Sequence, residues 1–178
     1  GHEASGIVEM IGPGVKKVSA GDHVVLHWMK GIGIDSETPS FKSDEGIVNA
    51  GQITTFSEKT IVSENRLTKI PSDIPLDIAA LTGCAVTTGL GVVFNNANLK
   101  PGNSIVVFGI GGVGLNVIQG AVLVNAHPII GIDVVNSKLV RAKEFGATHT
   151  FNSNNININQ TLLELSNGVG FDAAVDVT

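Results

Sequence analysis

The chain has 178 residues, of which 43% are hydrophobic and 15% are charged, and this balance favours a folded core over disorder. A formal net charge of −5 and the lack of a basic stripe argue against a nucleic-acid partner. No apolar run is long enough to suggest a membrane span. Because Cys84 is the only cysteine, an internal disulfide is excluded and a reducing compartment is favoured, so we expect a cytoplasmic protein.

The first 70 residues predict short strands separated by glycine turns. We expect strands over residues 5–11, 23–26, 54–63 and 67–70, a pattern typical of a small barrel or sandwich. The polar stretch 30–51 predicts a long surface loop. Trp28, just before that stretch, is compatible with a substrate cleft, with core packing or with an anchor for the loop.

The rest of the chain predicts alternating helices and strands, which indicates a parallel sheet with right-handed crossovers. A helix is expected over residues 76–98, with breaks near Gly83 and Gly89. Asn136 is a suitable N-cap and Gly146 a suitable C′ residue for a later helix. The further predicted strands are 104–109, 128–133, 148–151 and 172–177, and the further predicted helices are 112–124, 137–145 and about 159–166.

A glycine-rich turn follows the first strand of this second half. Gly109, Gly111 and Gly114 fit the G-x-G-x-x-G spacing, in which the glycines allow a tight turn, close approach to a pyrophosphate and close packing of helix on strand. Asp133 ends the next predicted strand, 19 residues after Gly114, where a carboxylate can accept hydrogen bonds from ribose hydroxyls and favours NAD over NADP. The order of strand, turn, helix, strand and acid favours a dinucleotide site over a glycine-rich turn with a chance acid.

Four motifs occur together along the chain: the opening Gly-His-Glu of residues 1–3, the glycine turns within residues 12–24, the stretch 81–91 and the glycine-rich turn. Together they resemble the zinc-dependent medium-chain dehydrogenase/reductase family, of the alcohol dehydrogenase type, over essentially the whole chain. The resemblance implies a partial β-rich GroES-like catalytic domain over residues 1–85. It implies a partial NAD-binding Rossmann domain, with a doubly wound parallel sheet, over residues 86–178.

The resemblance also implies a catalytic zinc site. His2 matches the family's histidine ligand and Cys84 its second cysteine ligand, while Glu3 resembles the acidic neighbour that sits behind the zinc and can approach it. Two cysteines and one histidine are a known ligand set for a catalytic zinc that keeps one position open. Outside this context, a single cysteine in an apolar helix is usually a small buried hydrophobe.

The same resemblance implies a binding site for NAD. Thr88 matches a residue of the active site beside the nicotinamide ring, although it is equally compatible with an ordinary helix residue. Val113 matches the residue behind that ring, and Lys138 matches a lysine near the adenosine ribose. The other implied cofactor-binding residues are Gly109, Gly111, Gly112, Gly114 and Asp133.

Two features depart from the family pattern. The first cysteine ligand and the proton-relay hydroxyl would precede Gly1, and residues 171–178 predict a buried strand at which the chain stops. We therefore expect a fragment that lacks both termini. The stretch 26–49 contains no cysteine, where many relatives carry four, so we expect one catalytic zinc and no structural zinc.

The resemblance implies a zinc-dependent NAD(H) alcohol dehydrogenase whose substrate is a small alcohol, aldehyde or ketone. It also implies a homo-oligomer, either a dimer or a tetramer, as the full-length protein. One alternative is a zinc-free relative of the NADPH-dependent quinone or enoyl reductases, against which His2, Cys84 and Asp133 argue. The other alternative, a non-catalytic dinucleotide-binding protein, stays open because a ligand outside this chain decides catalytic competence.

Overall fold

The computed structural model describes residues 1–49 and 51–178, and within them the chain divides into two units, Gly1–Cys84 and Ala85–Thr178. The first unit is built from short strands with one helix and two single-turn 3-10 helices. Its elements are β1 (Ala4–Ile7), β2 (His23–Leu26), β3 (Ser40–Ser43), β4 (Gly46–Asn49), the 3-10 helix Glu64–Arg66, β5 (Leu67–Lys69), α1 (Leu76–Ala80) and the 3-10 helix Leu81–Gly83.

The core of the first unit lies on the antiparallel sheet β1-β2-β5. Strand β2 is central, so Leu26 is paired with Ala4 on one side and with Leu67 on the other. Val24 and Leu26 alternate along β2 toward a buried cluster that also contains Val18. This small core confirms the β-rich character that the glycine-turn pattern predicts.

Two predictions for the first unit are wrong in detail. The stretch expected to be a surface loop contains the hairpin of β3 and β4, whose side chains are mostly exposed and so lack the alternating apolar pattern of a half-buried strand. Residues 54–63, which the structure describes in full, form no strand. Their large apolar side chains Phe56 and Ile61 point to solvent, and only Val62 packs on the core of the first unit, so the segment lacks the alternating buried face of a strand.

The second unit alternates helix and strand as predicted. Its elements are α2 (Ala85–Gly91), the π-helix Val92–Asn96, β6 (Ile105–Phe108), α3 (Gly112–Leu123), β7 (Ile129–Asp133), α4 (Asn136–Glu144), β8 (His149–Asn152), α5 (Ile158–Leu165) and β9 (Ala173–Asp176).

These four strands form one parallel sheet in the order β8-β7-β6-β9. One face is covered by a cluster that includes Val117 and Ala121 of α3, and the other by a cluster that includes Leu162 of α5. Helices on both faces of a parallel sheet confirm the doubly wound Rossmann-like fold. From β6, the next strands along the chain, β7 and β8, are added on one side of the sheet, whereas β9 is added on the other side. Such a switch point is where this fold binds ligands, beyond the carboxyl ends of the strands.

Helix boundaries agree with the sequence at some positions and differ at others. The long helix is interrupted at Cys84, next to Gly83, but it runs through Gly89 without a break. Gly146 follows α4 with φ +107°, as a C′ glycine should. Asn136 is not the N-cap of α4: Val135 takes that position, and the Asn136 side chain instead accepts a hydrogen bond from Asn152.

No single helix among the described residues is long and apolar enough to cross a membrane, although the bent pair Leu76–Gly83 and Ala85–Asn96 would pass that test together on length and composition alone.

Gly89 lets α2 and α3 lie close together, and its replacement gives a first prediction. A Cβ atom at Gly89 would lie 2.5 Å from Asn116 Cβ and 2.7 Å from Val113 O, so Gly89→Ala forces the two helices apart. We expect a loss of about 1–3 kcal/mol in the free energy of unfolding, the usual cost of overpacking. Chemical denaturation followed by far-UV circular dichroism measures it.

Gly91 provides the matched control in the same helix. A Cβ atom there meets only Asn95 Nδ2, at 3.9 Å. Gly91→Ala should therefore gain helix propensity, up to about 1 kcal/mol, without a clash. Equal stability changes in the two variants would contradict the close-packing role of Gly89.

Candidate cofactor and metal sites

The glycine-rich turn joins β6 to α3 at the switch point of the sheet. Gly109 has φ +88°, and a Cβ atom on it would lie 2.8 Å from Val177 O, beyond the end of β9. A Cβ atom on Gly114 would collide with Gly109 O. Gly111 is different, since no atom of the described residues other than its chain neighbours lies within 4 Å of where its Cβ would be. Two glycines thus allow tight packing, and the third leaves open space beside the backbone.

Helix α3 begins at this open space. Its N-cap residue, Gly111, has no side chain, so the first N–H groups of the helix, at Gly112, Val113 and Gly114, have no side-chain cap. Free N–H groups and the positive end of the helix dipole suit an anionic group such as a pyrophosphate. The residues of this turn therefore fit a dinucleotide.

Asp133 ends β7, next to the glycine-rich turn, and is only 7% exposed. Its Oδ2 accepts a hydrogen bond from Ile110 N (2.8 Å) and its Oδ1 one from Val135 N (2.9 Å). Lys138 Nζ lies 3.4 Å from Oδ2. Burial raises the pKa of Asp133, but the two N–H groups and the lysine outweigh it, so the net pKa lies below its ordinary value. Asp133 is thus an ionised acid that ties together the turns following β6 and β7.

The structure places the two remaining cofactor residues on helices of the same unit. Thr88 is exposed on α2. Val113, in the first turn of α3, packs partly against the main core cluster. Neither placement by itself assigns a cofactor role.

His2 lies exposed at the edge of the first unit, and its backbone is held on both sides by one residue. Thr55 N donates a hydrogen bond to Gly1 O (3.2 Å), and Thr55 Oγ1 donates one to Glu3 O (3.3 Å). The imidazole ring of His2 faces the indole of Trp28, with ring centroids 6.1 Å apart and planes tilted by 59°. Sequence reasoning missed Thr55, because it is distant along the chain and lies in no regular element.

Cys84 is the last residue of the first unit and is half-buried. It follows the 3-10 helix Leu81–Gly83 with non-helical backbone angles (φ −148°, ψ −71°). Gly83 is buried against β2, where a Cβ atom would collide with Leu26 O. This close approach fixes the backbone that leads into the cysteine.

The donor atoms of His2 and Cys84, an imidazole nitrogen and a thiol sulfur, are the types that zinc prefers. Within residues 1–49 and 51–178, however, no three His, Cys, Asp or Glu side chains are grouped so as to hold a metal ion, and Glu3 does not complete such a group. Because a catalytic zinc needs three protein ligands, these residues fit zinc in chemistry but do not complete a site alone.

Two family models match the chain. The "Alcohol dehydrogenase GroES-like domain" matches residues 1–72, and "Zinc-binding dehydrogenase" matches residues 112–178. The chain is 36% identical to alcohol dehydrogenase class-3 of Pisum sativum, over 94% of this chain and 52% of that protein. It is 35% identical to S-(hydroxymethyl)glutathione dehydrogenase of Photobacterium damsela subsp. piscicida, over 93% and 52%. The chain thus spans about half the length of these relatives.

A solved structure, benzyl alcohol dehydrogenase from Acinetobacter calcoaceticus, superimposes with a TM-score of 0.82 at 30% identity, covering 99% of this chain and 54% of that one.

The chain belongs to the zinc-dependent medium-chain alcohol dehydrogenase family. In this family member, the loop after β2, where the sequence has no cysteine cluster, is held by the buried polar segment Ser63–Arg66. Glu64 accepts hydrogen bonds from Ile34 N (2.8 Å), Lys16 N (2.7 Å) and Lys17 N (2.6 Å). Ser63 Oγ donates to Ile34 O (2.8 Å). Ser63 and Glu64 therefore join this loop, at Ile34, to the short 3-10 helix, and Glu64 also binds the segment before β2, at Lys16 and Lys17.

Glu64 makes the stability of this loop dependent on pH. Hydrogen bonds from the N–H groups of Ile34, Lys16 and Lys17 lower the pKa of Glu64. A carboxyl group whose pKa is lower in the folded state stabilises the fold above its unfolded pKa, about 4.5 here, and that contribution is lost as the pH falls through the folded value.

We expect Glu64→Gln to weaken the loop at pH 7 and to differ less from the wild type below about pH 4.5. The measurement is denaturant unfolding between pH 3 and pH 7, followed by the fluorescence of Trp28, which lies on this loop. Glu58→Gln, at an exposed glutamate, is the control. A pH-independent difference between Glu64→Gln and the wild type would contradict the ionised carboxylate as the fastening group.

Proposed function

We propose that the full-length protein is a zinc-dependent alcohol dehydrogenase that transfers hydride between NAD(H) and a small alcohol, aldehyde or ketone. Residues 1–85 belong to its GroES-like catalytic domain and residues 86–178 to its NAD-binding domain. The observation that carries the proposal is Asp133, a buried and ionised acid bonded to the glycine-rich turn, beside the open space at Gly111. Membership of the family and the zinc-type donors His2 and Cys84 support it.

In the cofactor domain, the turn Gly109–Gly114 receives the pyrophosphate on the N–H groups of Gly112, Val113 and Gly114. Asp133 accepts hydrogen bonds from the adenosine ribose, with Lys138 beside it. A 2′-phosphate would be repelled by the ionised carboxylate, so NAD is preferred to NADP. Thr88 would lie beside the nicotinamide ring and Val113 behind it.

In the catalytic domain, His2 and Cys84 would supply two ligands of a single catalytic zinc, with Glu3 as the acidic neighbour that can approach it. When bound, a zinc ion would supply Lewis-acid polarisation of the substrate oxygen, and NAD(H) would supply or accept the hydride of the substrate carbon. The chain contributes by holding these groups in place: Thr55 holds the backbone around His2, and the contact between Gly83 and β2 holds the backbone before Cys84.

Two further properties belong to the same proposal. The protein acts in the cytoplasm, in agreement with the single cysteine of these 178 residues. It works as a homo-oligomer, a dimer or a tetramer, which sedimentation of the full-length protein measures.

The zinc content of the full-length protein tests the catalytic site. We expect one zinc per subunit, lost or sharply reduced in Cys84→Ser and in His2→Ala, because each change removes a ligand. His149→Gln, at a histidine outside the proposed site, should keep its zinc. A folded, NAD-binding protein without zinc would exclude this mechanism and favour a zinc-free reductase or a non-catalytic binder.

The choice between NAD and NADP tests Asp133. Asp133→Asn removes the charge but keeps an oxygen acceptor, so we expect NAD to bind roughly tenfold or more weakly, since hydrogen bonds to charged groups are the stronger ones. NADP should gain relative to NAD. Calorimetric titration with both cofactors measures the two affinities, and Asp172→Asn, an acid at the opposite end of the sheet, is the control. An unchanged ratio of the two affinities would contradict the assignment.

A further inference from the structure

Arg66 is a buried cation with an unusual set of partners. Arg66 is only 5% exposed to solvent. It takes part in none of the ion pairs among the described residues. Its guanidinium donates hydrogen bonds to Trp28 O and to Gln52 Oε1, and it lies over the Trp28 indole at 5.5 Å from the ring centroid. The carboxylate of Asp35 interacts with Arg66 electrostatically but forms no direct ion pair with it. Burying a guanidinium without a direct ion pair is unfavourable unless its other contacts compensate. Here most of those contacts are with Trp28.

The backbone next to Trp28 is tied to the same residue. His27 N donates a hydrogen bond to Arg66 O (3.0 Å), and the His27 ring bonds to Met29 O (2.7 Å). Both flanks of Trp28 are therefore held, while a cation–π contact holds its ring. Trp28 is nevertheless 51% exposed, so it is fixed without being buried in the core.

The indole that Arg66 holds is also the ring that faces His2. The torsion that rotates an imidazole ring has a broad energy profile, so an exposed histidine does not by itself present one ring direction. Thr55 fixes the backbone of His2 but makes no hydrogen bond to its ring among the described contacts. The tilted contact with Trp28 is the restraint on that ring. A metal ligand needs such a restraint, and groups that orient a ligand affect metal affinity.

We propose that Arg66 is a positioning residue for His2 and acts through Trp28. The contact of Arg66 with Trp28 and the contact of Trp28 with His2 together set the direction of the imidazole that binds the metal. This inference rests on the proposed function, since it takes His2 as a zinc ligand. It adds a buried arginine, 64 positions away along the sequence, that neither contacts the metal nor belongs to the glycine motifs.

A double-mutant cycle in the full-length protein tests whether Arg66 acts through Trp28. The variants are Arg66→Met, Trp28→Ala and the combination of both, and the measured quantity is the dissociation constant for zinc, obtained by competition with a chromophoric chelator. We expect Arg66→Met to weaken zinc binding about tenfold, the lower end of the effect of ligand-orienting groups. The same change should have little effect when Trp28 is already alanine. Arg141→Met, at the exposed second arginine, is the matched control.

A spectroscopic measurement that needs neither activity nor zinc accompanies the cycle. Trp28 is the only tryptophan in the chain, and its emission is isolated by subtracting the spectrum of the Trp28→Phe counterpart. In the metal-free protein, Arg66→Met should shift that emission to longer wavelength and increase its quenching by acrylamide. Arg66→Lys, which keeps the charge, should restore part of both the emission and the zinc affinity, and it replaces Arg66→Met if the latter does not fold.

The outcomes separate this inference from the proposed function. If the wild type binds zinc and the loss caused by Arg66→Met or Arg66→Lys is the same with and without Trp28, Arg66 acts on the fold in general and the inference is overturned. Unchanged zinc affinity in these variants overturns it as well, and the proposed function stands. A wild-type protein that binds no zinc, while Trp28 emission still responds to Arg66, overturns the proposed function and with it the role in metal binding.

Discussion

The structure depends on places where the backbone passes too close to another segment to allow any side chain. Gly83 lies against Leu26 O in the first unit, and Gly109 and Gly114 bring β6, β9 and α3 together in the second. Each contact sets the backbone next to a candidate site group: Cys84 follows Gly83 directly, and the uncapped N–H groups of α3 follow Gly109. Because interiors are close-packed, a single added methyl group at such a position displaces a whole element. The glycines therefore fix where the candidate ligands lie, although they contribute no chemistry.

Buried polar side chains hold the backbone of the loop that carries Trp28, as the glycine contacts do elsewhere. Glu64 and Arg66 are two residues apart on one short 3-10 helix, and both are buried. Glu64 accepts hydrogen bonds from backbone N–H groups, whereas Arg66 donates hydrogen bonds to oxygen atoms and lies over an aromatic ring. Charge-assisted hydrogen bonds of this kind are strong and directional, so they can hold an irregular loop in one conformation where an apolar contact would let it slide. Asp133 acts similarly in the second unit, where one carboxylate joins two turns.

Regular elements were predictable where a strong local pattern repeats. Strands β6 and β7 are short, apolar and fully or largely buried, and the glycine-rich turn between β6 and α3 has residue types that only this geometry requires. The hairpin of β3 and β4 was not predictable, because its exposed strands carry no alternation of apolar and polar residues. Residues 54–63 do not form the expected strand, because the apolar side chains of Phe56 and Ile61 are exposed to solvent and lack the packing that such a strand needs.

Motif spacing and periodicity are local properties of the chain, so they suffice to predict the parallel α/β unit, the glycine-rich turn with Asp133, and His2 and Cys84 as candidate ligands. How these residues are supported becomes visible only in the folded chain. Three supporting contacts join positions far apart along the chain. They are the hydrogen bonds of Thr55 to the backbone on both sides of His2, the contact of Arg66 with Trp28, and the hydrogen bond from Ile110 N to Asp133. Such contacts leave no periodic trace in one sequence, since they depend on the loop paths that bring distant residues together.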